Sequence, residues 1–230
     1  VFGWGGFSAA CVLFLTENLS TAIIVAGITY VMVVVVHPKS KWFVTAAGVF
    51  VVSAMIGARF LGMAMETSGN FRLRRILVWL DPEKYASDGG YQLMQGLYAI
   101  GSGGLFGKGL GQSMQKLGFL PEANNDMIFS VICEELGLFG GIAVILLFLM
   151  MIWRLLVIAN NAEDLYGSMI VIGVMAHISI QVVLNIAVVT NVLPNTGITL
   201  PFISYGGTSI LFLMMEMGLV LAVSKQIKME

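Results

Sequence analysis

Long apolar runs separated by short polar breaks fill most of this chain, and the run lengths suit a bilayer better than a soluble core. Leu19–Val36 is uncharged and rich in β-branched residues. At about 1.5 Å per residue, a helix of that length nearly crosses a ~30 Å hydrocarbon layer. Residues 42–65, interrupted only by Arg59, form a second complete run, and 137–153, 168–189 and 205–223 form three more. Residues 1–15 are apolar but short, and read as the remainder of a further span. Without a basic start or a small-residue cleavage site, this stretch does not read as a signal peptide. The pattern predicts an all-α integral membrane protein with about six transmembrane helices.

Between Glu66 and Glu135 the pattern changes. Charged residues crowd this stretch, and its apolar run from Tyr91 to Ile100 is too short to cross. It reads as one long extramembrane segment carrying short amphipathic helices at the interface. The expected organisation is three membrane segments in 1–65, the long loop in 66–136, three membrane segments in 137–224 with a loop at 190–204, and a tail at 225–230.

Composition narrows the function. Of 230 residues, 58% are hydrophobic and 11% charged, with a formal net charge of −1; mean hydropathy is +0.91. So few charges cannot coat a soluble particle of this size. That excludes a disordered tail, an ordinary soluble enzyme and a basic nucleic-acid binder, so no nucleic-acid partner is expected. Cys11 and Cys133 lie far apart, with no metal-ligand spacing. Lys39, Lys41, Arg154, Lys225 and Lys228 fall on one side of the alternating spans, which is therefore the cytoplasmic side. The long segment is then outside, since long loops cross largely regardless of charge.

Several residues could carry chemistry. Asp126 follows Pro121-Glu122-Ala123-Asn124-Asn125 and precedes an apolar run. It reads either as a helix-start residue offsetting the helix dipole or as a general base whose pKa is raised beside lipid. Glu134 and Glu135, two turns on, read either as interfacial anchors or with one of them paired to an arginine. Arg72, Arg74 and Arg75 read equally as an anchor or as a pyrophosphate clamp. Arg59 either snorkels or lines a cavity opening outward. The glycine run Gly101-Ser102-Gly103-Gly104-Leu105-Phe106-Gly107-Lys108-Gly109-Leu110-Gly111 fails both nucleotide-loop patterns. It reads as a flexible re-entrant or interfacial loop, or as a backbone cradle for a lipid-linked phosphate with Lys108 as a point charge.

His177, Gln181 and Asn185 recur at i, i+4, i+8 as one polar stripe in the fifth span. Glu216 lies at similar depth in the sixth, close enough to pair with His177 or to join it in a proton path. Gly206-Gly207-Thr208-Ser209 opens the last helix, as an anion site or as a tight helix–helix contact.

Two stretches carry a family resemblance. Leu120-Pro121-Glu122-Ala123-Asn124-Asn125-Asp126, with Glu134-Glu135-Leu136-Gly137, resembles the outer-loop motif of the SEDS family (shape, elongation, division and sporulation). The stretch 194–209 resembles its second signature, and Gly90-Tyr91-Gln92-Leu93 and Gly107-Lys108-Gly109-Leu110-Gly111 match its long loop. Glu17-Asn18-Leu19-Ser20-Thr21-Ala22 departs from a further family segment, which usually begins Gln-Pro-Asp. Asn195-Thr196-Gly197-Ile198-Thr199 is more like the division and sporulation members than the elongation member.

The resemblance implies a ten-helix fold, of which this chain would supply the last six helices. It implies a peptidoglycan glycosyltransferase that polymerises lipid II outside the bacterial cytoplasmic membrane. Its implied partners are a class B penicillin-binding protein and other divisome membrane proteins. Asp126 matches the family's essential acidic residue and would remove the acceptor proton. Charge on the leaving pyrophosphate would be met by Arg72, Arg74, Arg75, Lys108, Lys116 or a divalent cation, magnesium or manganese. The alternatives are a flippase for lipid-linked precursors and a non-catalytic scaffold.

Overall fold

The computed structural model describes residues 2–16, 18–37, 40–64 and 71–227. Every regular element among them is helical. In chain order these are α1 (Phe2–Thr16), α2 (Leu19–Val36), α3 (Ser40–Ala64), α4 (Phe71–Leu80), α5 (Gly90–Gly103), α6 (Ile128–Asn160), α7 (Leu165–Val189) and α8 (Gly207–Gln226), with short 3₁₀ turns at Ala86–Asp88 and Gln115–Leu117. Among the described residues four helices, α2, α6, α7 and α8, are long and apolar enough to cross a membrane. Large apolar side chains such as Leu147, Met150, Leu211 and Met215 point outward from them, as lipid-facing positions do. The third expected span corresponds to the 25 residues of α3. At 15 residues α1 is shorter than a full span.

The chain forms two units. The first contains residues 1–38, 142–183 and 198–230. Within it α1 packs on α2, with Gly5 against the Thr29 side chain. Gly27 of α2 admits Ile180 of α7. Gly167 lies beside Asp164 and Val223. Small residues at these crossings let helices approach closely, which is the main source of packing energy when the surroundings are as apolar as the core.

The second unit contains residues 39–141 and 184–197. Its α5 buries Leu93, Gly96, Ala99 and Gly103 along one face. A Cβ on Gly96 would come within 3.4 Å of the Met127 sulfur and 3.1 Å of the Ser130 hydroxyl, and Gly103 lies against the Cys133 carbonyl. On α4 the apolar Leu77, Val78 and Trp79 are buried, and Trp79 Nε1 donates to the Asn191 carbonyl at 3.1 Å.

Helix α6 starts nine residues before the expected span at 137 and breaks at Gly137, whose φ of 71° is left-handed. The break is built by the glycine run. The N–H groups of Leu138 and Phe139 donate to Gly104 and Leu105, while Lys108 and Gly109 donate to Glu134 and Glu135. The run was expected to be flexible; these four main-chain bonds instead tie it to α6.

Candidate functional site

Asp126 sits at the end of a series of turns just before α6, and it is held from two directions. Its carbonyl accepts from Asn185 Nδ2 of α7 at 2.8 Å. Its carboxylate accepts from Gln92 Nε2 of α5 at 3.2 Å. Met127, the next residue, is fully buried against α5 and anchors the turn. Asp126 itself is 8% exposed. The N–H groups of Asp126 and Met127 both reach the carboxylate, although the helix begins only at Ile128.

The carboxylate opens on a cavity of about 270 Å³ lined by Arg75, Val78, Gly89, Gln92, Glu122, Asp126, Asn195 and Gly197. Burial pushes the Asp126 pKa up from 3.8 to about 6. Its own N–H opposes the shift, the Glu122 carboxylate adds to it, and the Gln92 and Met127 N–H groups hold it back. A carboxylate with such a pKa is mostly ionised at neutral pH and basic enough to accept a proton from a polarised hydroxyl. Among the described residues, Arg75 is the cation that lines the same cavity.

The other expected phosphate-binding cations are placed differently. Lys108 Nζ lies 2.7 Å from Glu134 Oε1, and Glu134 is fully buried. Glu134 also accepts from the Ser102 and Ser113 hydroxyls and from the N–H groups of Met114 and Gln115. Lys116 pairs with Glu135, which also accepts from the Gly111 N–H. Lys108 is therefore the partner of a buried glutamate and Lys116 of a mostly buried one, and neither lines the Asp126 cavity. The expected arginine partner for Glu134 or Glu135 is corrected to these lysines: the glycine run carries them over the two acids. Arg74 is exposed on α4 and does not line the cavity. The side chains of Arg59 and Arg72 lie outside the described residues, as does Glu17.

The polar stripe of α7 divides. Asn185 supports Asp126, as above. His177 Nδ1 lies 2.9 Å from Glu216 Oε2 of α8. Together with Gln181, these two line an apolar cavity of about 860 Å³ bounded by α2, α7 and α8. Gly207, Thr208 and Ser209 form the first turn of α8, with Gly206 as its cap residue, whose carbonyl accepts from the Ile210 N–H. None of the four lines the Asp126 cavity.

Sequence reasoning missed Gln92, Glu122 and Asn195 as members of the site. The signal was present, because all three fall inside the stretches that carried the family resemblance.

Comparison with known proteins gives the family of the chain. The family model described as "Cell cycle protein", covering FtsW, RodA and SpoVE, matches residues 4–229. The chain is 43% identical over 220 residues to Stage V sporulation protein E of Bacillus subtilis, covering 95% of this chain and 58% of that protein. It is 38% identical over 226 residues to the probable peptidoglycan glycosyltransferase FtsW of Idiomarina loihiensis, covering 97% of this chain and 53% of that one. The chain thus spans about half the length of the curated relatives it matches. A chain from a solved peptidoglycan synthase complex, described as coordinating polymerization and crosslinking, superposes with a TM-score of 0.70 at 26% identity. That match covers all of this chain and 63% of the other. From the match along nearly its whole length, and from its membrane helices, this chain belongs to the FtsW/RodA/SpoVE family of membrane proteins.

Proposed function

We propose that this protein is a peptidoglycan glycosyltransferase that polymerises lipid II, with Asp126 as its general base. The carrying observation is the buried Asp126 carboxylate, its pKa raised to about 6, opening on a cavity that Arg75 also lines. In the reaction, the 4-hydroxyl of one lipid-linked sugar attacks the anomeric carbon of another. The new C–O bond forms as the bond to undecaprenyl pyrophosphate breaks. Asp126 takes the hydroxyl proton and later releases it to solvent. The pyrophosphate leaves with the bonding electron pair, its growing charge met by the Arg75 guanidinium. One in-line displacement inverts the donor carbon, so an α-linked donor gives a β-linked glycan.

Among the described residues no group of three or more His, Cys, Asp and Glu side chains stands together to hold a metal ion. A magnesium or manganese ion would need only one or two carboxylates together with the substrate phosphates, and no step above is routed through one. The proposed setting is the outer face of the bacterial cytoplasmic membrane at the division septum. A class B penicillin-binding protein would crosslink the product there beside other divisome membrane proteins. The partner proposal draws support from the solved synthase complex, where polymerization and crosslinking are coordinated.

A flippase is the second reading, favoured by the cavity where His177, Gln181 and Glu216 meet apolar walls. Labelled lipid II supplied to the purified full-length protein separates the readings. Polymer is expected. Movement of label across vesicles without polymer would support the flippase, and neither activity, with partner present, would leave a scaffold.

A further inference from the structure

Side-chain amides can flip, so the face they present to a neighbour needs a cause. Around Asp126 that cause is traceable to the main chain. The Gly197 N–H donates to Asn195 Oδ1 at 3.0 Å. A backbone N–H can only donate, so it fixes the oxygen of Asn195 on that side. Asn195 Nδ2 is thereby turned outward and donates to Gln92 Oε1 at 3.2 Å. The Gln92 amide is fixed in turn, and its Nε2 points at Asp126 Oδ1, 3.2 Å away. The same nitrogen reaches Asp126 Oδ2 and the Pro121 carbonyl, each at 3.5 Å. Three donations run in one direction, from Gly197 to Asp126.

The direction matters chemically. A donor aimed at a carboxylate favours its ionised form, whereas a flipped amide would aim an oxygen at it and favour the protonated form. Two main-chain donors, the N–H groups of Asp126 itself and of Met127, also reach the carboxylate and hold its pKa down; Gln92 is the side-chain donor beside them, and the one whose orientation can reverse. Among the described residues, the charged side chains that line the cavity beside Asp126 are Arg75 from α4 and Glu122 from the preceding turn, and the Glu122 carboxylate raises the Asp126 pKa. Asn185, from α7, bonds the Asp126 carbonyl and not the carboxylate.

We propose that Asn195 and Gln92 are positioning residues, a one-way amide relay anchored on the Gly197 main chain that orients Asp126 and keeps it ready to accept a proton. The relay rests on the reading of Asp126 as general base. It goes beyond that reading by assigning how the base is tuned, and by which residues.

The test is the pH profile of kcat/KM for lipid II polymerisation by the full-length protein with its transpeptidase partner. Wild type is compared with Gln92→Leu, Asn195→Ala, the double variant and Gln92→His. Each of the first two variants is expected to move the acid limb up by about one pH unit, the size of shift that loss of a donor to a carboxylate brings. The double variant should move it no further, because both residues act through one donor. Gln92→His, which retains a ring N–H, should return the limb toward wild type. A limb that stays put while kcat falls, or shifts that add in the double variant, would overturn the relay. Asn195→Ala decides the matter alone should Gln92→Leu fail to fold. A wild type without an acid limb, or an active Asp126→Ala, would instead sink the reading of Asp126 itself.

Discussion

Lys108 Nζ donates to Glu134 Oε1 across 2.7 Å, joining a lysine from the glycine run to a glutamate with no solvent exposure. A buried charge that loses its partner is strongly destabilising, while a pair nearer solvent contributes little. Lys108 is 35% exposed, which moderates the effect. Lys108→Met is expected to lower stability by about 1–3 kcal/mol. Lys116→Met, whose partner Glu135 is 12% exposed, should lose about 1 kcal/mol or less. Thermal melts in detergent check the order; equal losses would contradict it.

Gly137 makes a second prediction. Its φ of 71° is left-handed, and a Cβ there would meet the Leu105 carbonyl and the Gly107 nitrogen. The conformation alone costs an alanine about 1–2 kcal/mol. Gly137→Ala should therefore reduce folded yield and melting temperature. Gly218→Ala in α8, where a Cβ meets nothing within 4 Å, should do neither. Folded yield by size-exclusion chromatography gives the comparison, and indistinguishable variants would refute it.

The His177–Glu216 contact at 2.9 Å predicts a pattern of rescue. A polar group left alone among apolar helices is unfavourable, so His177→Phe and Glu216→Leu should each lower folded yield. The double replacement should recover most of it. A double variant as poor as the worse single one would argue that each residue acts separately, for instance in proton movement.

Arg75 lines the cavity that Arg74 does not. Removing a donor aimed at developing charge typically slows a reaction about 100-fold. Arg75→Ala should reduce polymerisation by about that factor, with Arg75→Lys intermediate because lysine lacks the two-pronged geometry. Arg74→Ala should stay within about threefold of wild type. Initial rates on lipid II decide, and equal losses at the two positions would remove the clamp role from Arg75.

The membrane helices were legible because bilayer thickness sets the length of an apolar run, and α2, α6, α7 and α8 all follow that rule. The start of α6 was not. Glu134 and Glu135 made the stretch before Gly137 look extramembrane. Their charges are met by lysines 26 and 19 residues earlier, and only folding brings these together. The same separation made Lys108 and Lys116 look available for phosphate.

Asp126 was visible because it stands in the stretch that carries the family resemblance; its position alone suits a helix-start residue as well. Gln92 and Asn195 were not, although both lay in recognised stretches. A neutral amide has no charge or spacing to announce it, and its role depends on a partner 103 residues away in the chain.

The central claim is that Asp126 accepts the proton, and the pH dependence of lipid II polymerisation by the full-length protein tests it most directly. A carboxylate raised from 3.8 to about 6 works as a base only when ionised, so activity should be lost as pH falls through about 6. Wild-type kcat/KM is expected to be level above that point and to drop about tenfold per unit below it. Asp126→Asn and Asp126→Ala should make no polymer at any pH while remaining folded and partner-bound. A flat profile between about pH 4.5 and 8, or an Asp126→Ala protein that retains more than about a tenth of wild-type polymerisation, would contradict the account.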